Sequence, residues 1–193
     1  MNKDSIERDT IEVDILCVGA GVASLTTALR LLRRCAEKKA DKPSIMIIEK
    51  GSSVGKHSLS GAVLDPSSLA ELLTPEERAA MPVQAHVTHE TICRLSAGGS
   101  LRVPWVPPEM HSHGMPIISL SRFVQWMGGL VEAAGAEIYT DMPGAELLWE
   151  GDRVAGVRIR DRGWNKHGEK RSQFEPGADI RAKVVVLGEG AAG

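Results

Sequence analysis

Apolar residues crowd the stretch from Ile11 to Val18, and Ile15-Leu16-Cys17-Val18 is an unbroken apolar run of the kind buried on both faces of a sheet. Gly19-Ala20-Gly21 interrupts it. Apolar residues then recur at Val22, Leu25, Leu29, Leu32 and Ala36. This 3-4-3-4 spacing is one face of a helix, whose other face carries Arg30, Arg33, Arg34 and Glu37. Basic side chains suit a helix C-terminus, and Asp41-Lys42-Pro43 stops the helix. Ser44 to Ile48 is a second β-branched run, closing on Glu49-Lys50-Gly51. Strand, glycine turn, helix and returning strand predict a right-handed βαβ unit over residues 11–50.

The pattern then loosens into a loop- and helix-rich insertion, 51–118. Leu64-Asp65-Pro66-Ser67-Ser68-Leu69 reads as a turn into a short helix. Thr74-Pro75-Glu76-Glu77 reads as a second helix start. Leu101 to Pro108 carries too many prolines for a regular helix. A helix and hairpin region, 119–181, follows. Ser119 or Ser121 caps a helix with Phe123, Met127, Leu130 and Ala134 on its apolar face, and Gly135 stands at its C-terminal cap. Glu137 to Tyr139 reads as a short strand, Leu147 to Arg160 as a hairpin around Gly151-Asp152, and Trp164 to Gly177 as polar turns. Residues 182–193 are a final parallel strand, Ala182 to Leu187, running into Gly188-Glu189-Gly190. A helix is expected after such a turn, so the chain reads as the N-terminal portion of a longer protein.

Composition narrows the classes. With 42% of 193 residues hydrophobic and balanced charge (23 basic, 25 acidic), the chain is a folded one. The net charge of −2 gives no general attraction to nucleic acid. No stretch approaches the ~20 apolar residues of a membrane-spanning helix. Cys17, Cys35 and Cys93 are odd in number and far apart, which argues against a disulfide framework. With no CxxC pair, they do not make a four-thiolate metal site. Cys17 reads as a buried, reduced thiol. The acids at Asp4, Glu7 and Asp9 do not fit a signal or transit peptide, so a reducing, bacterial-cytoplasmic compartment, or a missing presequence, is expected.

Gly19-Ala20-Gly21-Val22-Ala23-Ser24 follows a strand and opens a helix, which is the setting of a dinucleotide-binding turn. Gly19 allows the tight turn. Gly21 lets backbone approach a pyrophosphate, and the helix N-terminus presents N–H groups to that anion. The third position, usually glycine for close helix–strand packing, is Ser24. Glu49 ends the second strand, where a carboxylate accepts ribose hydroxyls. Gly188-Glu189-Gly190, a second glycine-flanked acid after a buried strand, can hold a polyol chain and so favours FAD over NAD; a surface turn is the plainer reading. Ser58-Leu59-Ser60-Gly61-Ala62 offers small residues against a flat ring or phosphate, and alone is indistinguishable from a loop. The six histidines form no metal-binding motif, and His111-Ser112-His113 reads as surface or hydrogen-bonded. Ser60 lies in no nucleophile elbow. Trp105 and Val106, between prolines, pack locally or dip into a bilayer. No catalytic acid, base or metal ligand is assigned.

Together these segments resemble the N-terminal part of the electron transfer flavoprotein–ubiquinone oxidoreductase family. The resemblance runs from Val18-Gly19-Ala20-Gly21 to Leu25, then through Glu49-Lys50-Gly51 and Leu59-Ser60-Gly61-Ala62-Val63-Leu64-Asp65-Pro66. It continues at His113-Gly114, Ser119-Leu120, Trp126 and Glu137-Ile138-Tyr139, then Lys166 to Lys170, Phe174, Gly177, Ala182-Lys183 and Gly188-Glu189-Gly190. It implies an α/β fold: a Rossmann-like FAD-binding domain of the glutathione-reductase/hydroxylase type with a β-rich insertion, truncated at the C-terminus, so that 1–193 is one incomplete domain. It implies FAD as cofactor, with Gly19 and Gly21 at the pyrophosphate, Glu49 at the adenosine ribose, Leu59, Ser60 and Gly61 on the flavin side, Glu189 and Gly190 at the ribityl chain, and Ala20, Ser24 and Lys50 also among the cofactor-binding residues.

The implied activity passes electrons from reduced electron transfer flavoprotein to ubiquinone. The implied location is peripheral, on the cytoplasmic face of a bacterial inner membrane or on the mitochondrial inner membrane, with the Trp105 loop as a contact. The family's 4Fe-4S cluster finds no ligands in these residues. Val22 and Ser24 depart from the family's proline and glycine, and Ala191-Ala192 from a larger residue and an arginine. Two alternatives stand beside this reading: a related flavoprotein reductase of the geranylgeranyl-reductase type, and a non-catalytic nucleotide-binding fragment. The isolated stretch is expected to be inactive as an enzyme.

Overall fold

A computed structural model describes residues 6–59, 61–164 and 170–190, without the side chain of Lys170. β1 (Thr10–Val18) passes through the glycine turn into α1 (Val22–Lys38) and returns as β2 (Ile45–Ile48), buried at all four positions. β1 and β2 pair in parallel, Ile15 opposite Ile45 and Val18 opposite Ile48. α1 buries Ser24, Leu25, Ala28, Leu29 and Leu32. The buried stripe is shorter than the periodicity suggests, since Val22 and Ala36 stay exposed. Lys39 takes the left-handed conformation (φ 51°), and the N–H groups of Lys39 and Ala40 close on the carbonyls of Ala36 and Cys35. The helix therefore ends before Asp41-Lys42-Pro43.

Short elements follow: β3 (Ala62–Val63), a 3-10 turn at Ser67–Ala70, α2 (Pro75–Ala79), β4 (Val83–His86), β5 (Cys93–Ser96), β6 (Gly99–Arg102), a 3-10 turn at Pro108–Met110 and β7 (Pro116–Ile118). α2 starts at a capping box: Glu77 N–H donates to the Thr74 hydroxyl (3.2 Å), and Thr74 N–H donates to the Glu77 carboxylate (2.8 Å). β7 pairs antiparallel with both β3 and β4, and β5 with β6 forms a separate hairpin.

α3 (Leu120–Ala134) begins directly after Ser119 and closes at Gly135 (φ +109°). β8 (Glu137–Tyr139), β9 (Gly144–Glu150), β10 (Arg153–Ile159), β11 (Arg162–Trp164), β12 (Lys170–Glu175) and β13 (Asp179–Leu187) complete the chain. The main sheet runs β8-β2-β1-β13-β10-β9. β8, β2, β1 and β13 are parallel, and the β9–β10 hairpin adds antiparallel on β13. Leu16, Val18, Met46, Ile48, Val157, Ile159, Ile180 and Ala182 form one buried cluster on this sheet.

β13 begins at Asp179, three residues earlier than the apolar run suggests, because Asp179, Ile180 and Arg181 pair with Thr10, Ile11 and Glu12 of β1. The expected polar turns at 164–177 are also corrected. β12 pairs with β11 there, and Phe174 packs edge-on against Trp164, ring centres 5.1 Å apart. The chain divides into two compact units, residues 1–58 with 124–193, and residues 59–123.

Candidate functional site

Three parallel strands, β1, β2 and β13, end side by side, and a cavity of about 750 Å³ opens at their C-terminal ends. This is where open α/β sheets bind ligands, because the loops diverge there and a helix N-terminus faces the gap. Val18, Gly19, Ala20 and Gly21 line it from β1, Glu49 and Lys50 from β2, and Gly188, Glu189 and Gly190 from β13.

Gly19 has φ +91°, and a Cβ built there would lie 2.7 Å from the Gly188 carbonyl oxygen. Only glycine satisfies both conditions. Its N–H donates to the Ile48 carbonyl (2.8 Å), tying the turn to β2. Gly21 is the N-cap of α1, which has no side-chain cap and no acid in its first turn. The first N–H groups of the helix thus keep their capacity for an anion.

Glu49 is fixed on every side. Its backbone N–H donates to Tyr139 O (2.8 Å) and its carbonyl accepts from Met142 N–H (2.9 Å). Its carboxylate accepts from Ala20 N–H (3.0 Å) through Oε2 and from Gly51 N–H (2.7 Å) through Oε1. His57 Nδ1 stands 3.7 Å from Oε1. A carboxylate has about four acceptor sites, so a group largely out of water (12% exposed) still has room for two hydroxyl donors. The carboxylate also ties the glycine turn to the end of β2.

Of the eleven residues expected at a cofactor, Gly19, Ala20, Gly21, Glu49, Lys50, Glu189 and Gly190 line this cavity. Ser24 does not line it: the residue is wholly buried beneath the turn. Leu59 and Gly61 fall in the second unit, Leu59 84% exposed and Gly61 at φ +84°. Ser60 lies outside the described residues. Gly188, which opens the expected Gly188-Glu189-Gly190 turn, lines the cavity too, and sequence reasoning missed His57 and Arg160, which also line it. For His57 a usable signal was the glycine-rich Gly51–Gly55 stretch before it, which turns the chain back on Glu49. Arg160 ends an antiparallel strand and carried no local signal.

Two features lie elsewhere. His111 Nδ1 is 3.0 Å from the Glu90 carboxylate, which also accepts from Ser112 N–H. A carboxylate therefore does reach this histidine pair. The two contacts hold the Glu90 carboxyl below its usual range. No group of three or more potential ligands able to hold a metal occurs among the described residues. Asp14 accepts from Lys183 Nζ (2.6 Å) and from Ser44, and is held down at about 2.

Over 187 residues the chain is 36% identical to the mitochondrial electron transfer flavoprotein-ubiquinone oxidoreductase of Arabidopsis thaliana, covering 96% of this chain and 29% of that protein. The probable electron transfer flavoprotein-ubiquinone oxidoreductase of Acinetobacter baylyi is 36% identical over 193 residues, 98% of this chain and 34% of its own length. The chain is related to the N-terminal part of electron transfer flavoprotein–ubiquinone oxidoreductases. It spans about a third of the length of these curated relatives. No protein-family profile matches it.

Among solved structures, the flavin-dependent monooxygenase PieE, in complex with FAD and substrate, aligns with TM-score 0.59 and 19% identity over 94% of this chain and 31% of that one. A geranylgeranyl bacteriochlorophyll reductase-like protein of Thermoplasma acidophilum aligns with TM-score 0.58 and 18% identity over 92% of this chain and 39% of that one. These likenesses show the fold alone, an α/β fold of the Rossmann-like type.

Proposed function

We propose that this chain is the FAD-binding part of an oxidoreductase that takes electrons from reduced electron transfer flavoprotein and delivers them to ubiquinone. Residues 1–193 then form one FAD-binding domain, with the expected 51–118 insertion inside it. The observation that carries the reading is the Glu49 carboxylate, held by the N–H groups of Ala20 and Gly51 at the lip of a glycine-walled cavity. In this reading Gly19, Gly21 and the open end of α1 hold the pyrophosphate, and Glu49 accepts the adenosine ribose hydroxyls. Lys50, His57 and Arg160 supply positive charge or donors around them. Glu189 and Gly190 face the ribityl chain, and Leu59, Ser60 and Gly61 are assigned to the flavin side.

FAD, when bound, supplies the electron-transfer chemistry. The chain binds and orients it, and no side chain is asked to move a proton. The 4Fe-4S cluster that the resemblance implies is not assigned to residues of this chain.

A peripheral place on the membrane, the inner membrane of a bacterium on its cytoplasmic face or that of a mitochondrion, is supported by the second unit. Leu95, Leu101, Trp105 and Met110 are all more than half exposed there, with Arg94 and Arg102 on the same hairpin. Exposed tryptophan beside arginine suits the headgroup region of a bilayer. No helix among the described residues is long and apolar enough to cross a membrane.

A geranylgeranyl-reductase-like activity shares the fold, but identity falls from 36% to 18% between the two comparisons. A non-catalytic nucleotide-binding fragment is the other reading. The test is the visible spectrum of the purified 193-residue chain after adding FAD and desalting. Flavin bands near one per chain are expected. A chain that stays colourless overturns the proposal.

A further inference from the structure

We propose that Ser24 and Gly188 act as one positioning pair: Gly188, just after β13, provides the room that a glycine at position 24 would otherwise give to the packing of α1 on the sheet. Ser24 is the third residue of α1 and is wholly buried. Its Oγ has no hydrogen-bond partner among the described residues. A buried, unpaired hydroxyl is costly, so this one is held there by shape and not by a bond. A Cβ built on Gly188 would fall 2.1 Å from Ser24 Oγ, 3.4 Å from Ser24 Cβ and 3.3 Å from the Val18 carbonyl oxygen. The vacant side-chain position of Gly188 is thus the space that the Ser24 hydroxyl occupies.

Gly188 is pinned on its other sides. Its N–H donates to Val18 O (2.8 Å), and its carbonyl oxygen sits 2.7 Å from the Cβ position of Gly19. Ser24, Gly19 and Gly188 therefore interlock, and Gly188 continues directly into Glu189 and Gly190 on the cavity wall. In a dinucleotide turn the third glycine admits close helix–strand packing. Here that close contact falls on Gly188, directly after β13. Any side chain at 188 pushes β13 away from α1 and displaces the 188–190 wall, unless Ser24 is shortened at the same time. Ser24 acts through Gly188 and touches no ligand itself.

The flavin arm of the test rests on the FAD reading above; the thermal arm does not. The full 193-residue chain is compared as wild type, Gly188→Ala, Ser24→Gly and the double variant, in flavin retained after desalting and in apo thermal midpoint. Overpacking at 188 is expected to weaken flavin retention about tenfold and to lower the midpoint by about 5 °C. Ser24→Gly in the double variant is expected to restore most of both losses, and Ser24→Ala, which removes only the 2.1 Å contact, part of them. If Gly188→Ala does not fold, a cooperative melt regained in the double variant supports the pairing equally, and a double variant that also fails to fold overturns it. Additive losses, or a Gly188→Ala chain unchanged in both readouts, overturn the pairing. A wild type that retains no flavin removes the FAD reading and leaves the thermal cycle to decide the pair.

Discussion

At the scale of single residues, the candidate site depends on backbone N–H groups more than on side chains. Glu49→Ala removes the acceptor for Ala20 N–H and Gly51 N–H together with the proposed ribose contact. Two such lost bonds are worth about 2–3 kcal/mol. FAD affinity is expected to fall at least about thirtyfold, read by spectral titration. Gly19→Ala meets a positive φ and the Gly188 carbonyl at once, and is expected to cost about 2–3 kcal/mol of stability in denaturant titration. The cysteines give an independent check on packing. Burial pushes the Cys17 thiol up to about 11, whereas Cys93 is exposed on its hairpin. A thiol reagent at neutral pH is expected to modify Cys93 quickly and Cys17 only on unfolding. Fast labelling of Cys17 in the native chain would contradict the buried β1.

At the scale of elements, the N-terminal segment is tied down by one ion pair. Arg8 donates to Asp161 through both terminal guanidinium nitrogens and to the Gly177 carbonyl (2.8 Å), and Asp161 also accepts from Gly177 N–H (2.9 Å). Both side chains are less than a tenth exposed. The segment before β1 is so fastened to the chain just before β11 and just before β13. The Arg8 guanidinium, and then the Gly177 N–H, hold the Asp161 carboxyl down at about 2, from 3.8. A carboxyl depressed in the folded state stabilises above its unfolded value and loses that contribution as pH falls through the folded value. About 2 kcal/mol is therefore expected to vanish between about pH 4 and pH 2. Arg8→Ala is expected to cost about 3 kcal/mol and to move acid unfolding, followed by circular dichroism, to higher pH. An unchanged acid transition would show that the pair contributes nothing.

At the scale of the whole molecule, the proposed ligand should bind to the folded chain alone. At a hundredfold excess over its dissociation constant it adds about 2.7 kcal/mol, a rise of about 5–10 °C in the midpoint for a chain of 193 residues. No rise with FAD, in a chain that melts cooperatively, would contradict the site. The hairpin unit makes a separate claim. Replacing Leu95, Leu101 and Trp105 together by serine is expected to reduce sedimentation with anionic vesicles several-fold and leave flavin content unchanged. Equal sedimentation of both chains would remove the membrane contact.

The sequence by itself determined β1, the glycine turn, α1 and β2, because each carries a strong local signal: an unbroken apolar run, a helical period, a residue type demanded by the turn. Glu49 was legible for the same reason, as the acid at a strand end after such a unit. The β5–β6 hairpin and β12 were not legible, since strands with exposed or polar residues show little alternation and form only when a partner strand accepts their backbone bonds. Nor were His57 and Arg160, which join the site from a turn and from the end of a strand. Ser24 shows the division most plainly. Its sequence position assigns it to the cofactor turn, but its burial against Gly188, 164 residues later, decides that it packs beneath the turn. Local chemistry chooses the elements, and only the register of β1 against β13 sets which small residues share one space.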